Sequence, residues 1–302
     1  MNSTKHRVLT VSLLLLLSLS AAATTQAADP PAAKNKVLFI GIDGCRADAM
    51  HAANAPALHA LRDGGAYSEI AQTGDITVSG PGWSSMLTGV WREKHGVRDN
   101  TFTGKNLTEY PSFLDRFKAA HPDARTASFA TWAPIHQNII AKADVKTTFK
   151  KDADAADAAV KELQTADPDA VFLDLDDVDH AGHAHGFSTK VPQYMTAIET
   201  ADAQVGRAVT AMRGRPAFAR ENWLVLVTTD HGGSGKSHGK NIPEHRTIFV
   251  IANGPAVAPG EIKPAPGIVD VAATALAHLG VPVQPDWKLD GKAIGLRTTG
   301  LK

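Results

Sequence analysis

Four short apolar segments constrain the fold of this chain most strongly, because each reads as a strand buried on both faces of a sheet. They are residues 36–42, 170–175, 223–227 and 247–252. Two further strands are predicted at residues 66–70 and 126–130. Helical patterns lie between the strands, at residues 55–63, 111–120, 152–166, 192–213 and 268–279. This alternation predicts an α/β fold with a mainly parallel central sheet and helices on both faces.

The composition is that of an ordinary globular protein, with 43% apolar and 21% charged residues among 302. Lysine plus arginine equals aspartate plus glutamate, at 31 each, so no basic surplus indicates binding to a nucleic-acid polymer. No internal repeat and no linker interrupts the chain after residue 35. We therefore predict a single catalytic domain over residues 29–302. The sequence leaves the oligomeric state open.

The first 28 residues have the pattern of a secretory signal peptide. Lys5, His6 and Arg7 form a basic start, residues 8–19 are almost wholly apolar, and residues 21–28 are small and rich in alanine. The apolar run has 12 residues, fewer than the roughly 20 that cross a bilayer. Cleavage is expected after Ala27 or Ala28, which predicts a secreted or periplasmic protein with no membrane attachment after cleavage. Cys45 is the only cysteine, so no disulfide forms within the chain.

Acidic residues lie just after two of the predicted buried strands. Asp43 follows the strand at residues 36–42, and Asp230 with His231 follows the strand at residues 223–227. Open α/β sheets bind ligands at the carboxyl ends of their strands. A carboxylate and an imidazole at one such point suit a divalent metal such as zinc.

The segment after the strand at residues 170–175 carries further ligand candidates. Four aspartates and three histidines fall within residues 174–185. Asp179 and His183 are the best pair for one metal, and Asp176 with His180 has the same spacing and is the second choice. An acidic surface loop is the alternative.

Two histidines follow Asp230 and His231 in the chain. His238 lies in a glycine-containing loop that can fold back to a metal, and His245 is the alternative ligand nearer the next strand. Because glycines lie between these histidines, a helix that would align them is not expected.

Ser79 is the candidate nucleophile. Pro81 suits the first turn of a helix, which would place Ser79 at the cap with the amide of Gly80 pointing outward. A helix N-terminus attracts a phosphoryl group. A serine there is commonly only a cap, but it becomes a nucleophile where a metal lowers the pKa of its hydroxyl. Thr77 is the second choice for this role.

Two divalent ions, for which zinc is the favoured metal, account for these groups. One would take Asp43, Asp230, His231 and the Ser79 oxygen; the other would take Asp179, His183 and His238. Two-metal sites of this kind, with ions about 3.5–4 Å apart, hold both the attacking and the leaving oxygen of an in-line displacement. We therefore predict a phosphoseryl intermediate on Ser79 that water then hydrolyses.

With these residues in place, the chain resembles the alkaline phosphatase superfamily over residues 36–280, and in particular its nucleotide pyrophosphatase/phosphodiesterase branch. The resemblance rests on the segments Gly41–Gly44, Ser79–Gly89, Lys94–Asn100, Asp179–His183, Asp230–Gly232 and His238–Gly239. It implies an alkaline-phosphatase-like fold and assigns Asn100 to a phosphoryl oxygen. The chain is short for this superfamily, so we expect a minimal cap and a cleft built near residues 95–110 and 132–150.

Two departures from the family pattern bear on the substrate. The phosphodiesterase branch mostly has threonine as nucleophile, where this chain has Ser79. Sulfatases of the superfamily carry an arginine at the position of Trp83, so sulfatase chemistry is disfavoured. Trp83, Trp132 and Phe102 can stack on a nucleobase or aryl leaving group, although a core position is the alternative for each.

The sequence thus predicts a metal-dependent hydrolase of small phosphoric esters. Phosphodiester or nucleotide pyrophosphate bonds are favoured, because the only candidate cation for the second charge of a monoester is Arg98. The alternatives are a phosphomonoesterase on the same site, a phosphoryl transferase or mutase, a sulfatase, and an exported metal-binding protein without turnover.

Overall fold

The central element of the computed structural model is one mixed sheet of eight strands. The structure describes Met1 and residues 33–297, so the predicted signal peptide lies outside the described residues. The strands are β1 Lys34–Ile42, β2 Ala66–Gln72, β3 Thr126–Ala130, β4 Val145–Thr148, β5 Ala170–Leu175, β6 Glu221–Thr228, β7 Thr247–Asn253 and β8 Gly260–Glu261. Their order in the sheet is β4-β3-β5-β1-β6-β7-β2-β8. Only β7 runs antiparallel to its neighbours, β6 and β2.

Ten α-helices cover the sheet within the described part of the chain. They are α1 Ala47–Ala52, α2 Pro56–Asp63, α3 Ser79–Thr88, α4 Arg92–His95, α5 Phe113–Ala120, α6 Asp152–Thr165, α7 Asp177–His185, α8 Pro192–Arg213, α9 Pro243–Arg246 and α10 Asp270–His278. A π-helical turn spans Ile135–Ile139, and 3₁₀ turns span Phe218–Arg220 and Pro285–Trp287. Between residues 33 and 297, no helix combines the length and hydrophobicity that crossing a membrane requires.

The helices form a layer on each face of the sheet. Apolar residues of α3, α5 and α10 pack on one face together with Phe39 of β1. Those of α1, α2, α6 and α8 pack on the other face with Leu38 and Ile40. Successive side chains of β1 thus enter opposite cores, as expected of a strand buried on both sides. The predicted α/β fold with a mainly parallel sheet is confirmed.

The predicted elements lie within a few residues of the observed ones, and α8 has the bounds expected from its pattern. The main omission is helix α7. Its segment was predicted to follow a strand, but no helix was predicted there. Asp177 and Asp179 lie in its first turn, and His183 and His185 lie in its last turn. This arrangement is favourable with respect to the helix dipole, and it is the signal that indicates the helix.

The strand order brings the predicted site segments to one edge of the sheet. β5, β1 and β6 are adjacent and parallel, so their carboxyl ends lie side by side. Two antiparallel steps through β7 make β2 run in the same direction as β6. The segments that follow all four strands therefore start at the same edge.

The opposite, amino-terminal edge holds a buried ionic network. Lys36 is 1% exposed, and its ammonium group donates to Asp167 at 2.6 Å and to the Pro168 carbonyl at 2.9 Å. Arg215 makes a two-pronged contact with the carboxylate of Glu221, at 2.8 and 2.9 Å. Because these charges are both buried and paired, the network stabilises the fold only while it is complete.

We expect Lys36→Met to destabilise the protein by roughly 3–5 kcal/mol, because it removes a buried cation from a network that then holds the buried carboxylates of Asp169 and Glu221 with less compensating charge. The matched control is Asp157→Asn, which removes an exposed ion pair with Arg207. That change should cost about 1 kcal/mol or less. Denaturant unfolding of the two variants gives both free energies of unfolding, and equal losses would contradict the role of burial.

Candidate metal centre

Asp43, Asp230 and His231 form the first of two ligand groups at the carboxyl edge. All three are fully buried. The His231 Nε2 atom lies 3.5 Å from Asp43 Oδ1 and 3.4 Å from Asp230 Oδ2. Ligand atoms of the three residues lie within 4.8 Å of one another, which is the spacing of groups that share one ion. The structure thus brings these three predicted ligands together.

Asp179, His183 and His238 form the second group. His183 and Asp179 are four residues apart on α7, and His183 Nε2 lies 3.2 Å from Asp179 Oδ2. His238 Nε2 lies 3.0 Å from His183 Nε2 and 3.8 Å from Asp179 Oδ1. The rings of His231 and His238 stack with their centroids 3.9 Å apart, so the two groups are contiguous.

Ser79 is the first residue of α3, and its hydroxyl lies 3.4 Å from His231 Nε2. The predicted cap position is wrong by one residue, because Val78 occupies it with an extended backbone. The Gly80 amide points away from the helix, as expected, and donates to Asn100 Oδ1 at 2.7 Å. Asn100 is exposed, and this contact leaves its amide nitrogen available to a ligand beside Ser79.

Backbone carbonyls orient all three histidines. The Nδ1 atoms of His231, His183 and His238 lie 2.9–3.0 Å from the carbonyl oxygens of Gly232, Lys236 and Thr77. A carbonyl oxygen accepts a proton, so each Nδ1 is the donor and each Nε2 presents a lone pair to the site. Metal-bound histidines are held in this way. Asp174, which lies at the end of β5 in the same region, accepts hydrogen bonds from the backbone amides of Thr131 and Trp132.

The donor set fits divalent metal ions. Three carboxylate oxygens, on Asp43, Asp179 and Asp230, are buried without a hydrogen-bond partner among the described residues. The Nε2 atoms of His183 and His238 lie 3.0 Å apart, and with both Nδ1 atoms donating to carbonyl oxygens, two neutral imidazoles present lone pairs to each other. Charges and lone pairs so placed repel one another unless a cation lies between them. Nitrogen and oxygen donors in this mixture are those that zinc accepts.

The loop after β1 has a glycine at the point where the second ligand group comes closest to the backbone. Gly44 has a φ of +63°, and a Cβ atom there would lie 2.5 Å from Asp179 Oδ1. A side chain at this position would therefore displace a ligand of the second group. The hydroxyl of Tyr194 donates to the Gly44 carbonyl at 2.6 Å and fixes the loop.

The remaining candidate ligands lie outside the two groups or at their margin. Both ring nitrogens of His245 are engaged inside its own loop, by Ser234 and by the Lys240 amide, so His238 is the better placed of the two alternatives. His180 is exposed and pairs with Asp176 at 3.3 Å. The carboxyl group of Asp176 also lies beside those of Asp43 and Asp179.

Thr77 supports the loop that carries His238. Its hydroxyl donates to the Lys240 carbonyl and accepts from the Gly239 amide, both at 3.0 Å, and its own carbonyl contacts the imidazole. With its hydroxyl occupied in this way, Thr77 is a poor alternative to Ser79 as nucleophile.

Trp83 requires a correction, because it does not line the cleft. Its side chain is fully buried, and its indole Nε1–H donates to Asp43 Oδ2 at 2.8 Å. A buried ring offers no face to a substrate. Trp132 is half-buried and packs against Phe102 with ring centroids 6.0 Å apart, so part of it remains accessible. The contact between Trp83 and Asp43 is the functional feature that the sequence did not indicate.

The site predicts how the stability of the metal-free protein depends on pH. Burial, with neighbouring carboxylates, raises the pKa of Asp176 to about 7 and of Asp179 to about 9. Burial lowers the pKa of His231 and His238 to about 3, so both are neutral above pH 7. Between pH 7 and 9 the folded chain holds protons that the unfolded carboxyls have lost, and stability falls as pH rises.

The melting temperature measured with a chelator present should therefore decrease from pH 7 to pH 9. Asp179→Asn should make this decrease smaller. A divalent metal should stabilise the wild type most at the upper end of this range, because binding then displaces fewest protons. A melting temperature that rises over the same interval would contradict the proposed burial of the carboxyl groups.

Comparisons with known proteins agree with this geometry. Residues 37–134 match the family described as type I phosphodiesterase / nucleotide pyrophosphatase, and residues 127–283 match the metalloenzyme superfamily. The second match spans more than half of the chain, which therefore belongs to the metalloenzyme superfamily. The predicted resemblance to the alkaline phosphatase superfamily and its nucleotide pyrophosphatase branch is confirmed.

Two curated relatives cover different lengths of the chain. Bis(5'-adenosyl)-triphosphatase ENPP4 of Bos taurus is 25% identical over 251 residues, covering 74% of this chain and 53% of the relative. Phosphopentomutase of Methylobacterium sp. (strain 4-46) is 34% identical over 136 residues, covering 44% of this chain and 30% of the relative. The chain thus spans about half or less of the length of these relatives.

Solved structures share the fold. Murine ectonucleotide pyrophosphatase / phosphodiesterase 5 in complex with AMP has a TM-score of 0.67 at 14% identity, covering 83% of this chain and 96% of that chain. A 2-O GAG sulfatase has a TM-score of 0.70 at 13% identity, covering 86% of this chain and 73% of that chain. At these identities the likeness concerns the fold alone.

Proposed function

We propose that this chain is a metal-dependent hydrolase of phosphoric esters that acts on phosphodiester or nucleotide pyrophosphate bonds. One observation carries the proposal: the hydroxyl of Ser79 lies at a helix N-terminus, 3.4 Å from an imidazole nitrogen of a buried ligand cluster. A metal-buffering protein needs the cluster but has no use for this hydroxyl. The match to the phosphodiesterase family over residues 37–134 includes Ser79 and supports the same reading.

Ser79 is proposed to attack the phosphorus atom of the substrate. Asp43, Asp230 and His231 would hold one ion, and Asp179, His183 and His238 the other. When bound, such ions neutralise phosphoryl charge and lower the pKa of a neighbouring hydroxyl. Ser79 lies at the amino end of α3, where the helix dipole favours the negative charge of the entering phosphoryl group. The Ser79 hydroxyl loses its proton to solvent as its oxygen bonds to phosphorus, and one alcohol or phosphate group of the substrate leaves. The intermediate on Ser79 keeps the second ester group, and water then breaks the bond between the Ser79 oxygen and phosphorus to release a phosphate monoester.

Asn100 is proposed to hold a non-bridging phosphoryl oxygen. Its Oδ1 atom accepts from the Gly80 amide, which orients the side chain beside Ser79. Its Nδ2 atom can then donate to an oxygen whose charge grows in the transition state. A fixed donor of this kind is effective because it needs no reorientation during the reaction.

A diester fits the charges of the site better than a monoester. Within residues 33–297, the carboxylates of Asp43, Asp179 and Asp230 form no ion pair with lysine or arginine. Arg98 is exposed and makes no described contact with the ligand groups. A monoester carries a second negative charge that such a cation would balance. The accessible part of Trp132 is proposed to contact an aromatic leaving group.

The function is tested by elemental analysis and a two-substrate assay on one purified sample. We expect two zinc ions per chain and a higher kcat/KM for bis-p-nitrophenyl phosphate than for p-nitrophenyl phosphate. A preference for the monoester would point to the phosphomonoesterase alternative. Metal binding without turnover of either ester would contradict the hydrolase proposal.

Ser79→Ala should reduce kcat for the preferred ester by at least about 10³-fold, because the attacking atom is absent. Most of the metal should stay bound. The matched control is Ser84→Ala in the same helix, since Ser84 is buried away from the ligand groups and its hydroxyl has no described partner. Full activity of the Ser79 variant would favour direct attack by water.

Phosphoryl transfer to an alcohol is the second candidate, favoured by the similarity to a phosphopentomutase. It uses the same serine, so the two candidates differ in the acceptor. Analysis of the products in the presence of a sugar alcohol separates them, because a hydrolase releases inorganic phosphate or a nucleotide. We further propose export to the periplasm, which sequencing of the mature N-terminus would test.

A further inference from the structure

The indole of Trp83 is bonded to a carboxylate that belongs to the ligand cluster. Its Nε1–H donates to Asp43 Oδ2 at 2.8 Å, inside a fully buried environment. The other oxygen, Asp43 Oδ1, has no hydrogen-bond partner among the described residues and lies 3.5 Å from His231 Nε2. The two oxygens of one carboxylate therefore have different roles.

The indole ring of Trp83 is closely packed in the core. The ring packs edge-on against Phe172, with centroids 5.9 Å apart and an interplanar angle of 85°. On its other side lies Gly41, where a Cβ atom would come within 2.3 Å of the ring. The glycine two residues before Asp43 therefore provides the space for the indole, and Trp83 holds the carboxylate at a fixed angle.

The same helix carries Ser79 and Trp83. Four residues separate them, so they lie about one turn apart on α3. A single rigid element thus sets both the nucleophile and one ligand of the first group. The Ser79 hydroxyl and the indole that donates to Asp43 are therefore carried by one element.

We propose that Trp83 is a positioning residue that restricts Asp43 to a single ligand oxygen and thereby selects zinc-like ions over calcium. Calcium takes six to eight oxygen ligands and often uses both oxygens of a carboxylate. Zinc takes about four ligands, nitrogen among them, and one carboxylate oxygen is sufficient. Because the indole N–H donates a hydrogen bond to Oδ2, that oxygen is less available to coordinate a large ion such as calcium. The inference rests on the proposed function only in taking Asp43 as a ligand.

Trp223 supplies a matched control for the test. It is 1% exposed, and its Nε1–H also donates to a buried carboxylate, Glu221 Oε2, at 2.7 Å. It lies at the start of β6, at the opposite edge of the sheet. Trp83→Phe and Trp223→Phe therefore remove the same ring and the same kind of hydrogen bond, at the site and away from it.

The affinities of both variants for zinc alone and calcium alone are measured by competition with a chelating dye. Trp83→Phe should weaken zinc binding by roughly 10–100-fold, as the loss of a ligand's supporting hydrogen bond does. It should also reduce the preference for zinc over calcium. Trp223→Phe should change neither quantity, although it lowers the melting temperature. Equal metal affinities in the two variants would overturn the proposal.

A second replacement separates the hydrogen bond from the packing. Benzothienylalanine at position 83 keeps the shape of the indole and replaces its N–H by sulfur. It should show the same loss of zinc preference, and the visible absorption of the cobalt-loaded protein should change, because that absorption reports coordination number. Wild-type preference and spectrum in this variant would overturn the role of the N–H.

The outcomes also distinguish this inference from the proposed function. A wild-type protein that binds neither zinc nor cobalt would overturn both. Normal metal binding by both tryptophan variants would overturn the inference alone. Selective metal binding without ester hydrolysis would support the inference and overturn the proposed function.

Discussion

The constraint on which the rest of the site depends is the burial of carboxylates that no lysine or arginine among residues 33–297 balances. Asp43, Asp179 and Asp230 are at most 6% exposed, and each has an oxygen without a described hydrogen-bond donor. Burying an ionised carboxylate in this way is strongly unfavourable unless a cation or a proton compensates it. The raised pKa values of these groups express the same cost in the metal-free protein.

Buried charges are paired at one edge of the sheet and unpaired at the other. At the amino-terminal edge, the buried cations Lys36 and Arg215 are both paired with the buried carboxylate of Glu221. At the carboxyl edge, the acidic groups face lone-pair nitrogens that cannot neutralise them. The first arrangement stabilises the folded chain by itself. The second gives up stability in exchange for affinity towards cations, which is typical of a binding site.

The fold alone does not select the reaction, since a pyrophosphatase-like protein and a sulfatase share it at similar TM-scores. The side chains on α3 are more specific. Ser79 places a hydroxyl at the cluster, and Trp83 occupies with an indole the position where the resemblance would put a sulfatase arginine. Because this indole is buried and donates to Asp43, the side chain at position 83 supports that carboxylate and is not exposed to a substrate.

The sequence by itself determined all strands except the short β4 and β8, the longer helices and the residue types of the site. Buried strands and amphipathic helices have periodic patterns that can be recognised locally. Asp43 and Asp230 come just after strands that were predicted to be parallel, so the sequence was enough to place both at the carboxyl edge of the sheet. The choice between His238 and His245, and the role of Trp83, were decided only by tertiary structure. These depend on contacts between residues 40 or more positions apart, such as Asp43 with Trp83 and His238 with Thr77. No local pattern encodes such contacts, because the distance between two side chains is set by the packing of the elements that carry them.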